Sequence, residues 1–372
     1  MTTDTAHLRR RLAARFGPEW RAAVEAVPRE LFLGADVFRP EEGRWNPVRR
    51  AETGEETWSA LAYSDTTWVT QVDGVRAGDA PGPLEGRPTS SSTLPSLVVR
   101  TLELSGARPG DDVLEIGTGT GYSTAILCHR LGDEHVTSVE YDPGLAADAA
   151  DHLRAAGCAP TLVVGDGLQG HDRGHEYDAL VATCSVRYVP RSWLWQVRAG
   201  GSITTTISGW MVASGLIRLE VDDAGGASGR FAADRISYML ARPHERPPRP
   251  QFHRLRGDTR RSRVDPGILE EWTALFVAQL AAPSAEYWLA GDDDAVLSDV
   301  ATGSQAWTER MGTGWVVHQH GPLRLWDRVE EALLLWEGAG SPDQTAFGMT
   351  VTDENQRVWI GDQSGPGWSL PV

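Results

Sequence analysis

The sequence predicts an α/β protein in which a Rossmann-like domain of alternating strands and helices is followed by a smaller α+β extension. Three observations predict it. The run Asp112 to Ile116 is apolar and β-compatible, it enters the turn Gly117-Thr118-Gly119-Thr120-Gly121, and Tyr122 to Leu131 then has helical spacing without Gly or Pro. Further strand-like runs at His135 to Val139 and Thr161 to Val164 continue the alternation. Beyond the Arg- and Pro-rich stretch Ala241 to Arg256, which resists continuous helix or strand, a new set of apolar helical and strand-like segments begins.

From the start of the chain, residues 6–15 and 19–26 read as two amphipathic helices, stopped by Gly17-Pro18 and Val27-Pro28. A polar stretch leads to Pro88-Thr89-Ser90-Ser91-Ser92-Thr93-Leu94-Pro95, which packs hydroxyls into a proline-bounded loop ahead of a helix from Pro95 to Leu104. Two uses of those hydroxyls are open at this point: caps of the following helix, or groups that orient a substrate. In the extension, Pro266 to Ala281 and Leu325 to Trp336 have helical spacing, Trp315 to His318 reads as a strand, and Phe347 to Val351 with Arg357 to Ile360 reads as a hairpin around Asp353-Glu354-Asn355. Its tryptophans, at 272, 288, 307, 315, 326, 336, 359 and 368, either fill a small core or form an aromatic peptide-binding surface. The expected organisation is a catalytic domain over 1–240, a linker over 241–256, and an extension over 257–372 that recognises substrate.

Composition excludes several chemistries. A formal net charge of −16 argues against general nucleic-acid binding. All 35 cationic side chains are arginines, so Schiff-base chemistry and lysine-dependent nucleotide hydrolysis are ruled out. Cys128, Cys158 and Cys184 look too scattered for a disulfide framework or a zinc site, so no metal is expected and a reducing cytoplasm is the natural compartment. No run of 18 apolar residues occurs, which predicts no membrane span.

The turn itself points to a ligand. Its spacing is Gly-x-Gly-x-Gly, so the third glycine of the dinucleotide fingerprint is missing at Tyr122, and no lysine follows as in a P-loop. Glu115, two places before the first glycine, suits a ligand with a positive charge and hydroxyls. Glu140, at the end of the next strand, stands where an acidic side chain accepts from both ribose hydroxyls. Asp166, in Gly165-Asp166-Gly167, is placed to take an adenine amino group. S-adenosylmethionine meets all three requirements, which makes the domain a class I methyltransferase by expectation.

The chain resembles the protein-L-isoaspartate O-methyltransferase family over roughly residues 8–220. The resemblance is carried by Val27-Pro28-Arg29-Glu30-Leu31-Phe32, Tyr63-x-Asp65, Thr93-Leu94-Pro95, the turn from Glu115 to Gly121, Glu140, Val164-Gly165-Asp166-Gly167, Tyr177-Asp178-Ala179-Leu180-Val181, and Val189-Pro190 with Val197-Arg198-Ala199-Gly200-Gly201. It implies a cofactor set of Glu115, Gly117, Thr118, Gly119, Gly121, Tyr122, Glu140, Asp166, Gly167 and Thr183. It implies a substrate set of Tyr63, Asp65, Gln71, Asp73, Leu94 and Pro95, and Thr93, Ser92 or Ser91 as the hydroxyl that orients a carboxylate. Two departures stand out. Threonine holds the place of the family's usual serine before Pro95, with about 15 extra residues upstream, and a C-terminal extension follows that ordinary members lack.

Those departures resemble homologues that tailor ribosomally made peptides of the lanthipeptide or graspetide type. The expectation is therefore methylation of an ordinary Asp in a macrocyclised peptide, leading through a succinimide (aspartimide) toward isoaspartate. Repair of isoaspartyl proteins is the alternative, with a small-molecule methyltransferase or a cofactor-binding module without turnover further behind. Methyl transfer to a carboxylate needs no general base, because an exposed Asp, with a pKa of about 3.9, is already ionised.

Overall fold

The computed structural model describes residues 5–171, 174–248, 252–255, 257–290 and 294–371. The chain divides into two units, residues 1–183 with 195–204, and residues 184–194 with 205–372.

The first unit opens with α1 (Ala6–Ala13) and α2 (Pro18–Ala26), the second starting on Pro18, whose missing N–H costs nothing at a helix start. Leu12, Trp20 and Val24 enter one core with Phe32, Trp58, Tyr122 and Ile126. Next come β1 (Asp36–Glu41), β2 (Arg44–Arg49), α3 (Arg50–Thr53), α4 (Glu55–Ala62), β3 (Trp68–Val72), β4 (Val75–Arg76) and β5 (Pro88–Ser92). The five strands make one antiparallel sheet, in the order β2-β1-β3-β4 with β5 also on β3. Both of its tight hairpins turn on residue pairs with positive φ, Glu42-Gly43 and Asp73-Gly74, as two-residue turns that follow the strand twist require. Asp73 is thus a turn residue.

Of the five consecutive hydroxyl residues Thr89 to Thr93, the first four lie in a strand, where a loop was expected. Ser90 to Ser92 pair with β3 (Trp68↔Ser92, Val69↔Ser91, Gln71↔Ser90) through a register shift at Gln71. Partner strands outweigh the low strand preference of Pro and Ser here. The helix after it, α5 (Pro95–Ser105), is N-capped by Leu94 with no side-chain cap, so Ser90 to Thr93 are not its caps.

The Rossmann-like part, most of it in this unit, is built from β6 (Val113–Ile116), α6 (Tyr122–Leu131), β7 (Val136–Glu140), α7 (Pro143–Ala155), β8 (Thr161–Val164), β9 (Tyr177–Val186), α8 (Arg191–Gln196) and β10 (Val197–Ser208), residues 184–194 and 205–208 being counted with the second unit. Its strands run in the order β8-β7-β6-β9-β10, and β6 lies parallel to both β7 and β9 (Val113↔Val136, Val113↔Ala179). The predicted bounds of β8 and α6 match residue for residue.

The second unit continues the chain with β11 (Ser214–Val221), β12 (Ala227–Phe231), β13 (Asp258–Arg261), α9 (Trp272–Ala281), β14 (Ala285–Ala290), β15 (Asp294–Asp299), β16 (Gln305–Met311), β17 (Gly314–His320), α10 (Leu325–Gly338), β18 (Phe347–Val351), β19 (Gln356–Ile360) and β20 (Gly367–Ser369). The expected hairpin at 347–360 is present, with Val351↔Gln356 closing it. The expected helix over 266–281 is split instead. Asp265 caps a 3₁₀ turn at Pro266–Glu270, and an extended Glu271 precedes α9.

The expected boundary at residue 240 lies inside this unit. β12 pairs with β18 (Ala227↔Val351 to Arg230↔Gly348), Gln279 donates to the Ala213 carbonyl at 2.7 Å, and Gln344 donates to Ser214 at 2.9 Å. Residues on both sides of 241–256 therefore share one sheet and one core. Of the expected linker, 242–244 form a 3₁₀ turn and Arg246 meets buried Glu286 at 2.6 Å, while residues 249–251 and 256 lie outside the described residues. None of the eight tryptophans in the extension is exposed, and Trp326, Trp336 and Trp359 are buried, which favours the core reading over an aromatic surface. Among the described residues, no helix is long and apolar enough to cross a membrane.

Candidate active site

At the centre of the first unit is the glycine turn. Gly117, Gly119 and Gly121 all have positive φ, a conformation that residues with a Cβ adopt only under strain. Gly121 also lies within 3.3 Å of Leu153 on α7, measured from where its Cβ would be, so a side chain there meets the next helix. The turn is held at both ends by backbone bonds, Gly117 N–H to the Val139 carbonyl at 2.9 Å and Gly121 N–H to Thr118 at 2.8 Å. Thr183 Oγ1 donates to the Gly117 carbonyl at 2.5 Å and so secures the turn from β9.

Glu115 does not face a ligand. It is wholly buried, and its carboxylate accepts the hydroxyls of Ser123, Thr124 and, at 2.7 Å, Ser138. Thr118 extends the chain of hydroxyls, 2.6 Å from Ser138. The expected contact of Glu115 with the cofactor is therefore corrected: it is a latch that fixes the first turn of α6 and the strand β7 to the strand that carries the turn. Burial pushes its carboxyl above the ordinary glutamate range, against the three hydroxyls that pull it down. Tyr122 is corrected likewise. Its ring sits in the core 5.9 Å from Phe32, with the Arg29 guanidinium over it, and the phenol is pushed up to about 12 by burial.

Glu140 stands where the sequence puts it. At the end of β7 it is 8% exposed, and its carboxylate accepts from Gly119 N–H at 2.8 Å and Asp142 N–H at 3.0 Å. Gly165 N–H bonds to the Glu140 carbonyl at 2.9 Å, which brings Val164-Gly165-Asp166-Gly167 alongside. Asp166 caps the short turn after it by accepting from Leu168 N–H at 3.0 Å, and a Cβ on Gly167 would come within 2.5 Å of Ile116.

The residues expected to touch substrate form a scaffold around Arg29. Its buried guanidinium donates to the carbonyls of Ala62 (2.7 Å), Ser64 (2.7 Å), Thr66 (2.9 Å), Ser92 (3.4 Å) and Thr93 (3.2 Å). Burial lowers its pKa to about 10, which leaves it charged at neutral pH. Asp65 pairs with Arg15 at 2.8 Å and accepts the Ser96 N–H at 2.9 Å in the first turn of α5. Tyr63 is buried and donates to Glu30. Leu94 N–H bonds to Thr67, and Pro95 is the buried first residue of α5. Gln71 reaches toward the cofactor side, donating to Asp142 at 3.3 Å and accepting from Thr89 at 2.7 Å. Asp142, unassigned in the sequence reading, caps α7 through Gly144 and Leu145, a role that Asp142-Pro143 could have signalled.

The strand β5 divides the three candidate hydroxyls. Ser90 and Ser92 are buried on one face, while Ser91 and Thr93 alternate onto the half-buried other face. Ser92 Oγ, fully buried with no hydrogen-bond partner, faces the core rather than a substrate. Ser91 lies beside the turn: a Cβ built on Gly119 would stand 3.8 Å from its carbonyl oxygen.

A parallel sheet with a glycine turn at the C-terminal end of one strand and an acidic side chain closing the next defines a class I methyltransferase. A family model described as "Protein-L-isoaspartate(D-aspartate) O-methyltransferase (PCMT)" matches residues 48–215. A protein-L-isoaspartate O-methyltransferase of Ignicoccus hospitalis is 34% identical over 181 residues, covering 48% of this chain and 68% of its own. One from Cupriavidus necator is 32% identical over 224 residues, covering 56% and 85%. A solved protein-L-isoaspartate O-methyltransferase shares the fold over 97% of this chain and all of its own, with a TM-score of 0.54 at 19% identity. The chain belongs to the protein-L-isoaspartate O-methyltransferase family, whose cofactor is S-adenosylmethionine.

Two outcomes test the site. Because Glu115 holds its proton more tightly when folded, the folded state binds more protons than the unfolded one above the ordinary glutamate pKa of about 4.3, and stability falls as pH rises through that window. Glu115→Gln removes this term, so the stability of wild type minus that of the variant should decrease with rising pH in urea titrations; an increase would mean that the three hydroxyls outweigh burial, contrary to this account. Glu140→Ala should weaken S-adenosylmethionine binding by about 1.5–3 kcal/mol in calorimetry, the range for hydrogen bonds to a charged group.

Proposed function

We propose that this chain methylates the free α-carboxylate of isoaspartyl residues in peptides or proteins, in the reducing cytoplasm, as the first step of their repair. One observation carries the reading: the hydroxyl strand β5 is held at the glycine turn, with the Ser91 carbonyl facing Gly119, so an acceptor lying on Ser91 and Thr93 is next to the cofactor position. S-adenosylmethionine, when bound, supplies an electrophilic methyl group on a sulfonium. The donor set fits it: Glu140 for the ribose hydroxyls, Asp166 for the adenine amine, and the opened backbone of Gly117 to Gly121 for close approach.

What remains for the protein is positioning. The acceptor carboxylate is already ionised, so no side chain need remove a proton. Thr93 and Ser91 donate hydrogen bonds that fix its direction, and Arg29 fixes the strand that carries them through the Ser92 and Thr93 carbonyls. Orientation of this kind is worth on the order of 7–11 kcal/mol at best.

A second reading is methylation of an ordinary Asp in a macrocyclised ribosomal peptide, ending at aspartimide or isoaspartate. It is favoured by the five-stranded sheet over residues 36–92, which frames the hydroxyl strand with more surface than a flexible isoaspartyl segment requires. One experiment separates the two. Methyl ester and succinimide formation are followed by mass spectrometry on an isoaspartyl peptide, its Asp isomer, and linear and cyclised Asp peptides. The proposal expects turnover of the isoaspartyl peptide at least about tenfold above any Asp peptide, and loss of turnover in Thr93→Ala with cofactor affinity kept. Turnover confined to the cyclised Asp peptide would replace it with the tailoring reading.

A further inference from the structure

Cys128 and Cys158 look scattered in the sequence, yet the fold brings them together with Asp133. Cys128 lies in the last turn of α6, Asp133 begins the 3₁₀ turn 133–135 that follows, and Cys158 lies just beyond α7. The two sulfurs and a carboxylate oxygen of Asp133 all lie within 4.8 Å of one another, with both cysteines buried and the aspartate half-exposed. We propose that these three residues bind a single divalent metal ion, zinc by the character of the donors, with water completing a tetrahedron on the Asp133 side.

Geometry supports a chelate. Metal–sulfur bonds of about 2.3 Å and metal–oxygen bonds of about 2.0–2.2 Å place tetrahedral donors roughly 3.5–3.8 Å apart. The three atoms, now within 4.8 Å of one another, need close by no more than about 1.3 Å to meet that. Each is held by its own backbone anchor: Cys158 N–H bonds to the Leu153 carbonyl at 2.9 Å, Gly132 N–H to the Cys128 carbonyl at 2.9 Å, and Asp133 Oδ2 accepts the Ala159 N–H at 2.9 Å. The last bond ties the aspartate to the Cys158 segment. Donors fixed in this way lose little entropy on binding an ion.

The obvious rival is a thiol pair that forms a disulfide, and the third group argues against it. Disulfide exchange requires a thiolate as attacking nucleophile, and a neighbouring carboxylate disfavours that anion. A divalent cation reverses the balance, because it favours both thiolates and gains the carboxylate as a ligand. Two thiolates with one carboxylate suit borderline zinc better than copper(I), which prefers sulfur alone, or magnesium and calcium, which prefer oxygen. The bound ion would clamp the end of α6 to the segment after α7, away from the glycine turn at the other end of α6.

The test uses reduced full-length protein and cobalt(II) as the probe. The expected result is one equivalent bound, with a sulfur-to-cobalt charge-transfer band and tetrahedral d–d bands, both displaced by zinc. Asp133→Asn, which keeps an oxygen to accept the Ala159 N–H, should lower cobalt affinity by at least the factor of about ten that even outer-shell substitutions cost. Cys158→Ser should remove much of the charge-transfer intensity. S-adenosylmethionine affinity is measured on each protein as the control for folding, since none of the three residues belongs to the cofactor set. Cofactor binding without a thiolate–cobalt band would overturn the proposal. So would protein whose Cys128 and Cys158 resist alkylation until a reductant is added, which would make the pair a disulfide.

Discussion

The buried guanidinium of Arg29 joins three parts of the chain that are far apart in sequence. It leaves the Pro28-Arg29-Glu30 turn and meets the carbonyls of residues 62–66 and 92–93. A charge without a carboxylate in direct contact is costly to bury, and five carbonyl dipoles offset that cost. Only the planar fork of arginine reaches so many acceptors at once; a lysine ammonium has three donors from one point. The same carbonyls belong to the segment that ends in Tyr63-x-Asp65 and to the strand that ends in Thr93-Leu94-Pro95. The motif therefore works as one piece: Arg29 at its hub, Asp65 at the start of α5, and Thr93 presented on the open face of β5.

A second buried ionisable group, Glu115, does for the cofactor side what Arg29 does for the acceptor side. Three hydroxyls from α6 and β7 converge on its carboxylate, so the strand before the turn, the helix after it and the next strand share one polar knot. Glu140, one strand over, is left to face the turn through Gly119 N–H. Glu115 is buried among hydroxyls, whereas Glu140, at the next strand end, stands beside the glycine turn. The two knots are close neighbours: Arg29 lies over the ring of Tyr122, the first residue of α6, and Ser123 and Thr124 follow directly.

Much of the fold was legible because local signals agreed with it. The glycine turn, α6, β8, α10 and the hairpin at 347–360 each carry their own periodicity or turn residues, and pattern suffices there. Features made by tertiary pairing were not legible. Pro88 to Ser92 has loop composition and becomes a strand only on β3; residues 205–240 look like the end of a catalytic domain, yet their strand β12 pairs with β18; Cys128 and Cys158 meet only because α6 and α7 lie side by side. Site residues follow the same division. Positions of Gly117 to Gly121 and Glu140 follow from strand order, whereas the fate of Glu115, Tyr122, Tyr63 and Asp65 depends on which way each side chain faces, and spacing does not encode that.

The central claim is that Arg29 positions the acceptor strand without touching the cofactor. Its most direct measurement is turnover and S-adenosylmethionine affinity of Arg29→Lys, which keeps the charge but cannot span residues 62–66 and 92–93 together. The account predicts methyl transfer reduced by at least about tenfold, the equivalent of roughly 1.4 kcal/mol in the transition state, with cofactor affinity essentially unchanged. Unchanged turnover would contradict it, as would a loss confined to cofactor binding.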